Sequence, residues 1–229
     1  MRRREQNKNN TRKKYQNLWN INYIGPKPVP RGFRMLSVII ATHDSERALV
    51  RTLAALVPGA AAGLVSEVLI TDAGSRDQTV AAADHAGCTI LKEPGPLGQR
   101  LKAAAETARA PWLLFLRPGA VLEPSWTAEV RLFLEQGSSQ TLAAVFRRAA
   151  PGRGGLLEIV ALAAAALRGK PQPQQGLLIA KYLYQQTGGH SATAADPEAE
   201  YLRRLGRRQV RTLSTAVHHF ERPGSVLNT

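Results

Sequence analysis

The 229-residue chain has a single cysteine, Cys88, so no disulfide can form within it. The thiol lies in the apolar run GCTILKE, which reads as an inert buried position. Acids are scarce too, with 17 Asp and Glu against 31 Lys and Arg, for a formal net charge of +14. No apolar run reaches the roughly 18 to 20 residues of a membrane-spanning helix, because even GLLEIVALAAAALRG at 155–169 is interrupted by Glu158. The opening MRRREQNKNNTRKKYQNLWN lacks the apolar core of about 7 to 15 residues that a secretory signal carries. A soluble body in the cytoplasm is the expectation. There is no Walker loop and no GxGxxG element, and His43 has no second histidine at ligand spacing.

The basic excess looks like a nucleic-acid signature until it is divided along the chain. Residues 1–35 hold ten Lys and Arg against Glu5, a local excess of +9, which leaves +5 for everything after. That segment is rich in Asn and ends in GPKPVPRGF, so residues 1–34 read as a basic, disordered extension with a proline linker. Two readings of it stand side by side: a solvated tail, or a polybasic contact with an anionic membrane surface or nucleic acid. The folded part itself does not point to nucleic acid. With 44% hydrophobic residues it can bury one core, expected over 35–222, with 223–229 as a C-terminal tail.

From Leu36 onward, β-rich runs alternate with helical spacing. LSVII at 36–40 precedes a helix over 45–57, in which Leu49, Leu53, Leu56 and Val57 recur on one face behind a possible Ser45 cap. The unit repeats as EVLITD before a helix capped by Ser75, as CTILKE before LGQRLKAAAETARA, and as WLLFL before PSWTAEVRLFLEQG. Further on come a strand at TLAAVF, a helix over 155–168, a strand and helix in QGLLIAKYLYQQTGG, a short charged helix in DPEAEYLRRLGRR and a last strand at QVRTLS. Such alternation predicts an α/β fold, a mostly parallel central sheet with helices on both faces. Ligands then bind beyond the carboxyl ends of the strands, at the loops 41–46, 71–77, 93–100 and 117–124.

Those loops carry the candidate chemistry. Asp72 ends a strand and Gly74 follows, so the carboxylate can accept hydrogen bonds from a base or ribose while the backbone approaches closely; an ordinary capped turn explains the same residues. The loop before the third helix offers backbone N–H groups and Arg100 to a phosphate.

Taken together, LSVIIATHDSERALVRTLAAL, EVLITDAGSRDQTVAAADHAGCTIL and GQRLKAAAETARAPWLLFL resemble family 2 glycosyltransferases. The resemblance is good over about 36–135 and looser over about 170–215. It implies the Rossmann-like GT-A fold and a nucleotide-sugar donor, UDP-linked, lying over the strand ends. It also implies that Thr42 and Glu46 line the nucleotide pocket and that Asp72 holds the base. Ala73 stands where the family has a second aspartate.

The larger departure is FLRPG where the family has an Asp-x-Asp metal motif: Arg117 and Gly119 replace the two carboxylates. A divalent ion wants carboxylate oxygens, so no metal cofactor is expected in the family's manner. Either Arg117 stabilises the diphosphate itself, or the site has decayed and the arginine faces solvent. By the same resemblance the general base falls on Asp196, with Glu198 second, although acids in a first helical turn are explained equally by the helix dipole. Arg203, Arg204, Arg207 and Arg208 read as a solvated helix end or as contacts to acceptor or diphosphate charge. Gly188 and Gly189 would turn the chain near the sugar, and His190 would contact the acceptor.

The function expected is hexosyl transfer from the donor to a glycan or lipid-linked acceptor, of the kind used for cell-envelope polysaccharide, with peripheral contact at the inner face of the membrane. The rival expectation is a catalytically inactive domain on the same fold that binds nucleotide or protein.

Overall fold

Runs such as Leu36–Thr42 and Trp112–Leu116 are buried almost throughout, which suits strands covered on both faces of a parallel sheet. The structure, a computed structural model, describes residues 36–92, 94–136, 141–149 and 170–219. The basic extension, the helix expected over 155–168 and the tail at 223–229 lie outside the described residues.

In chain order the elements are β1 (Leu36–Thr42), α1 (Glu46–Ala61), β2 (Val65–Asp72), α2 (Thr79–His85), β3 (Thr89–Lys92), α3 (Leu97–Thr107), β4 (Trp112–Leu116) and β5 (Ala120–Leu122). They continue as α4 (Trp126–Glu135), β6 (Ala143–Arg148), a 3-10 turn at Pro173–Gln175, β7 (Leu177–Ala180), α5 (Lys181–Gln186), α6 (Pro197–Leu205) and β8 (Val210–His219).

The strands form one sheet in the order β3-β2-β1-β4-β7-β6-β8-β5. Four of its seven pairings are parallel, and the antiparallel ones all involve β7 or β5, so the expected mostly parallel α/β sheet is what forms. The chain winds from β1 outward to β3, then crosses back to lay β4 on the other side of β1. That reversal puts the topological switch point of the sheet between β1 and β4, beyond whose carboxyl ends ligands of open α/β sheets bind.

Three local expectations are corrected. The helix placed after Ser75 begins only at Thr79, because Ser75 is drawn back into the loop by Asp72. Ser45 does occupy the N-cap position of α1, but its hydroxyl donates to the His43 carbonyl, and the Glu46 N–H donates instead to Asp77 Oδ2 at 3.1 Å. The segment 117–124, expected as a loop, contains the short strand β5, which pairs with β8 at the far edge of the sheet. Only three residues separate β4 from β5, so the sheet must curl to bring its last strand back beside α1. Thr52 on α1 fixes that connection by accepting from the Gly119 N–H at 2.9 Å.

The second half of the chain is set against the first by a close approach at Gly98, on the first turn of α3. A Cβ there would lie 1.8 Å from the Ser191 carbonyl oxygen and 3.0 Å from the Pro197 side chain, so only glycine lets the loop before α6 sit this near. Replacing Gly98 by Ala is expected to cost about 1 to 3 kcal/mol through overpacking, read as a lowered urea midpoint of the full chain. An unchanged midpoint would show that the Ser191 loop is free to move away.

Candidate active site

Thr42 and Asp72 are register partners at the carboxyl ends of β1 and β2, and this pairing organises the first loops. Asp72 is 4% exposed. Its Oδ1 accepts from the hydroxyls of Thr42 (2.8 Å) and Ser75 (2.5 Å), and its Oδ2 accepts from the N–H groups of Gly74 (2.9 Å) and Ser75 (2.8 Å). A carboxylate has about four acceptor positions, so the protein already fills them. Burial alone would raise the Asp72 carboxyl, but these hydrogen bonds outweigh it and hold the group below the ordinary carboxylate range. The capped turn at Asp72 is therefore formed. Gly74, at φ +88°, turns the loop, and a Cβ there would meet nothing within 4 Å, so its backbone is open to an approaching molecule.

The loops after β1 and β2 are laced together beyond this. The N–H of Asp44 donates to Ser75 Oγ at 2.9 Å, that of Ser45 to Thr79 Oγ1 at 2.7 Å, and that of Arg76 to Asp44 Oδ1 at 2.7 Å. Asp44 sits at φ 45°, a conformation that aspartate tolerates. Asp44, Asp77 and Thr79 escaped the sequence reading as site residues; their signal was the run of short polar side chains that bond neighbouring backbone. Glu46, whose N–H is capped by Asp77, lies half-buried beside them.

Arg100 does not extend to a phosphate. It is buried under the end of β2, where its Nη1 donates to the Thr71 carbonyl at 2.8 Å, and burial lowers its pKa against the partial opposition of Asp72. The helix geometry explains this: Arg100 stands on the same side of α3 as Leu101, Ala104 and Ala105, which pack into the core.

Arg117, directly after β4, neither points into solvent nor stands alone. Its Nε donates to Glu198 Oε2 at 2.6 Å, and Nη2 lies 2.5 Å from the same oxygen and 3.8 Å from Asp196 Oδ1. The side chain of Arg117 is 28% exposed, that of Glu198 12% and that of Asp196 54%. Burial pushes the Glu198 carboxyl above its ordinary value, with the Arg117 guanidinium offsetting only part of the shift and Asp196 adding to it. Asp196 caps α6, accepting from the Ala199 N–H at 2.9 Å. The two carboxylates singled out as candidate bases therefore converge on the arginine that replaces the metal motif, which is the arrangement sequence alone could not show.

The start of α6 is held in place from below. His190, expected at the acceptor, is instead 3% exposed and packs edge-on against Phe115 and beside Tyr184 and Tyr201. Its Nδ1 pairs with the Tyr184 hydroxyl at 2.8 Å, and burial, reinforced by Arg204, pushes its pKa down to about 3. It is a neutral core residue because nothing opens its pocket to water. Gly189, at φ +66°, turns the chain against the Tyr184 ring, and Arg204 donates to its carbonyl while lying over the Tyr201 ring. Arg204 is thus partnered although exposed, as Arg203, Arg207 and Arg208 also are.

A doubly wound sheet with laced polar loops over its strand ends defines a nucleotide-binding transferase fold. The sequence model of glycosyl transferase family 2 matches residues 37–156, just over half of the chain, and the chain belongs to that family. Among solved structures, glucosyl-3-phosphoglycerate synthase from Mycobacterium tuberculosis in complex with phosphoglyceric acid is 20% identical at TM-score 0.60, over 83% of this chain and 73% of that one. The same synthase with manganese, UDP and glucosyl-3-phosphoglycerate is 19% identical at TM-score 0.59, over 88% and 80%. A mycobacterial protein is 22% identical at TM-score 0.62, over 83% and 68%. These likenesses show the GT-A fold. No curated protein matches the chain.

A divalent ion is held by carboxylate oxygens. At the carboxyl end of β4 the chain offers a guanidinium, and the carboxylate nearest to it, Glu198, is already held by that cation. Among the described residues no group of three or more His, Cys, Asp or Glu gathers as a metal site, and no helix is long and apolar enough to cross a membrane.

Asp72→Asn is expected to cost about 1 to 3 kcal/mol at neutral pH, since an amide cannot accept all four donors. Because the folded-state pKa is depressed, the wild-type advantage is present above the ordinary aspartate value of 3.8 and is lost as pH falls through the lower folded value. Urea midpoints of both proteins should therefore converge in acid. A gap that persists at acid pH would contradict the role given to the charge.

Proposed function

We propose that the chain transfers a sugar from a UDP-linked donor to a hydroxyl group of a glycan or lipid-linked acceptor, with Arg117 in the role that a divalent ion has elsewhere in the family. The observation that carries this reading is the position of the guanidinium: it follows β4 beside the switch point between β1 and β4, with two carboxylates from the start of α6 beside it. A leaving diphosphate gains charge as the sugar departs, and a fixed, planar cation with paired N–H donors stabilises that charge. The solved relatives that hold UDP and UDP-glucose support a nucleotide-sugar donor.

In the reaction the acceptor oxygen bonds to the anomeric carbon, the bond from that carbon to the diphosphate oxygen breaks, and the hydroxyl proton passes to a carboxylate. Glu198 is the better of the two candidates. Its raised pKa makes it the stronger proton acceptor, whereas Asp196 already spends an oxygen on the helix cap. Asp72, Thr42 and Gly74 serve the donor by fixing the loop backbone over which the nucleotide lies. Arg100 supports that backbone from beneath through Thr71.

The alternative is a domain of the same fold that binds nucleotide or a partner without catalysis. The observation that favours it is the same ion pair, since a guanidinium satisfied within the protein needs no ligand. Calorimetric titration with UDP and UDP-sugars, in EDTA and again with manganese, separates the transfer reading from a domain that binds only a partner, and UDP release from a UDP-sugar on incubation with the chain separates it from a domain that only binds nucleotide. The transfer reading predicts binding that is unchanged by metal and at least about tenfold weaker in Arg117→Ala. Binding that appears only with manganese would contradict the role of Arg117, and no binding of UDP, GDP or TDP donors in either buffer would leave the non-catalytic reading.

A further inference from the structure

We propose that Arg117 changes partners when the donor binds: the guanidinium leaves Glu198 for the diphosphate, and the carboxylate so released becomes the proton acceptor for the incoming hydroxyl. This rests on the nucleotide-sugar reading above and adds to it an order of events, donor before acceptor.

The geometry of the pair supports an exchange. Nε and Nη2 converge on a single oxygen, Glu198 Oε2, although a guanidinium fork is built to meet two oxygens side by side. Two oxygens of a diphosphate would take one N–H each, so the new partner offers the better match. The backbone that carries Glu198 is held in place. Its helix is fixed by the Asp196 cap, by Pro197 against Gly98 and by Arg204 on the Gly189 carbonyl. The backbone after β4 is fixed as well, through the Gly119 N–H on Thr52 and the Ala120 N–H on the Arg117 carbonyl at 3.1 Å. Of the two side chains, that of Arg117 is the more exposed and so the freer to turn to a new partner.

The exchange also has a chemical consequence. The charged groups that bear on Glu198 are Arg117, which follows β4, and Asp196, at the start of α6. Once the cation turns to the diphosphate, burial and Asp196 act on Glu198 unopposed, and the carboxylate becomes more basic at the moment an acceptor arrives. Before that, the base is neutralised by its own ion pair, so a water molecule in the empty site is not activated. With donor and acceptor both bound, the acceptor oxygen bonds to the anomeric carbon, the electron pair of the broken bond goes to the diphosphate oxygen beside Arg117, and the proton goes to Glu198.

The test is titration of the full chain with UDP and with uridine, in chelator, for wild type and Glu198→Gln. Removing the competing carboxylate should tighten UDP binding about tenfold and leave uridine binding unchanged. In parallel, the Arg117 Nε–H resonance of the wild type, identified by its loss in Arg117→Lys, should shift with UDP and not with uridine. Equal or weaker UDP binding by Glu198→Gln, with wild type binding normally, overturns the exchange and leaves the nucleotide-sugar reading intact. Absence of UDP binding in both proteins overturns that reading and the exchange with it. If Glu198→Gln does not fold, the wild-type resonance decides, and a signal that stays still under saturating UDP overturns the exchange.

Discussion

The ion pair between Arg117 and Glu198 joins the two halves of the molecule at the point where chemistry would occur. Arg117 belongs to the first four strand units and Glu198 to a helix 81 residues further on. Taking two charges largely out of water is costly, and such a pair is weak evidence for stability by itself. Its effect is better understood as positional: it aligns the start of α6 with the carboxyl end of β4, and breaking one side would leave a buried charge without a partner. The tight backbone contact at Gly98 and the ring cluster of Phe115, Tyr184, His190 and Tyr201 hold α6 in the orientation that makes the pair possible.

The loops after β1 and β2 are built on a different principle. There the carboxylates of Asp72, Asp44 and Asp77 are spent on backbone N–H groups and hydroxyls of the neighbouring loop, so that the loops after β1 and β2 form one hydrogen-bonded surface. A surface ordered in advance loses little entropy when a ligand settles on it. The contrast is between a floor whose carboxylates are saturated by hydrogen bonds within the protein and the side chain of Arg117, to which the proposal gives the freedom to change partners.

Much of this was legible in the sequence. The alternation of β-rich runs with helical spacing located β1 to β4 and α1 to α4 and predicted the parallel half of the sheet, because local pattern and burial agree there. The replacement of an Asp-x-Asp motif by Arg117-Pro118-Gly119 was legible as a chemical anomaly. What was not legible depended on contacts between distant residues. Nothing near Arg117 announces Glu198, nothing near Asp72 shows that Thr42 takes one of its acceptor positions, and the burial of His190 and Arg100 follows from which side of a loop or helix meets the core. The three-residue strand Ala120–Leu122 is too short to carry a pattern and exists because β8 offers it an edge.

The central claim is that a cation of the chain stands where the family places an ion. It is tested most directly by a crystal structure of the UDP complex grown with manganese present and recorded at a wavelength that reveals manganese by anomalous scattering. The account predicts the Arg117 guanidinium on the diphosphate oxygens, Glu198 free of it, and no anomalous density at the phosphates. A manganese peak bridging the diphosphate to Asp196 or Glu198, with Arg117 turned away, would contradict it.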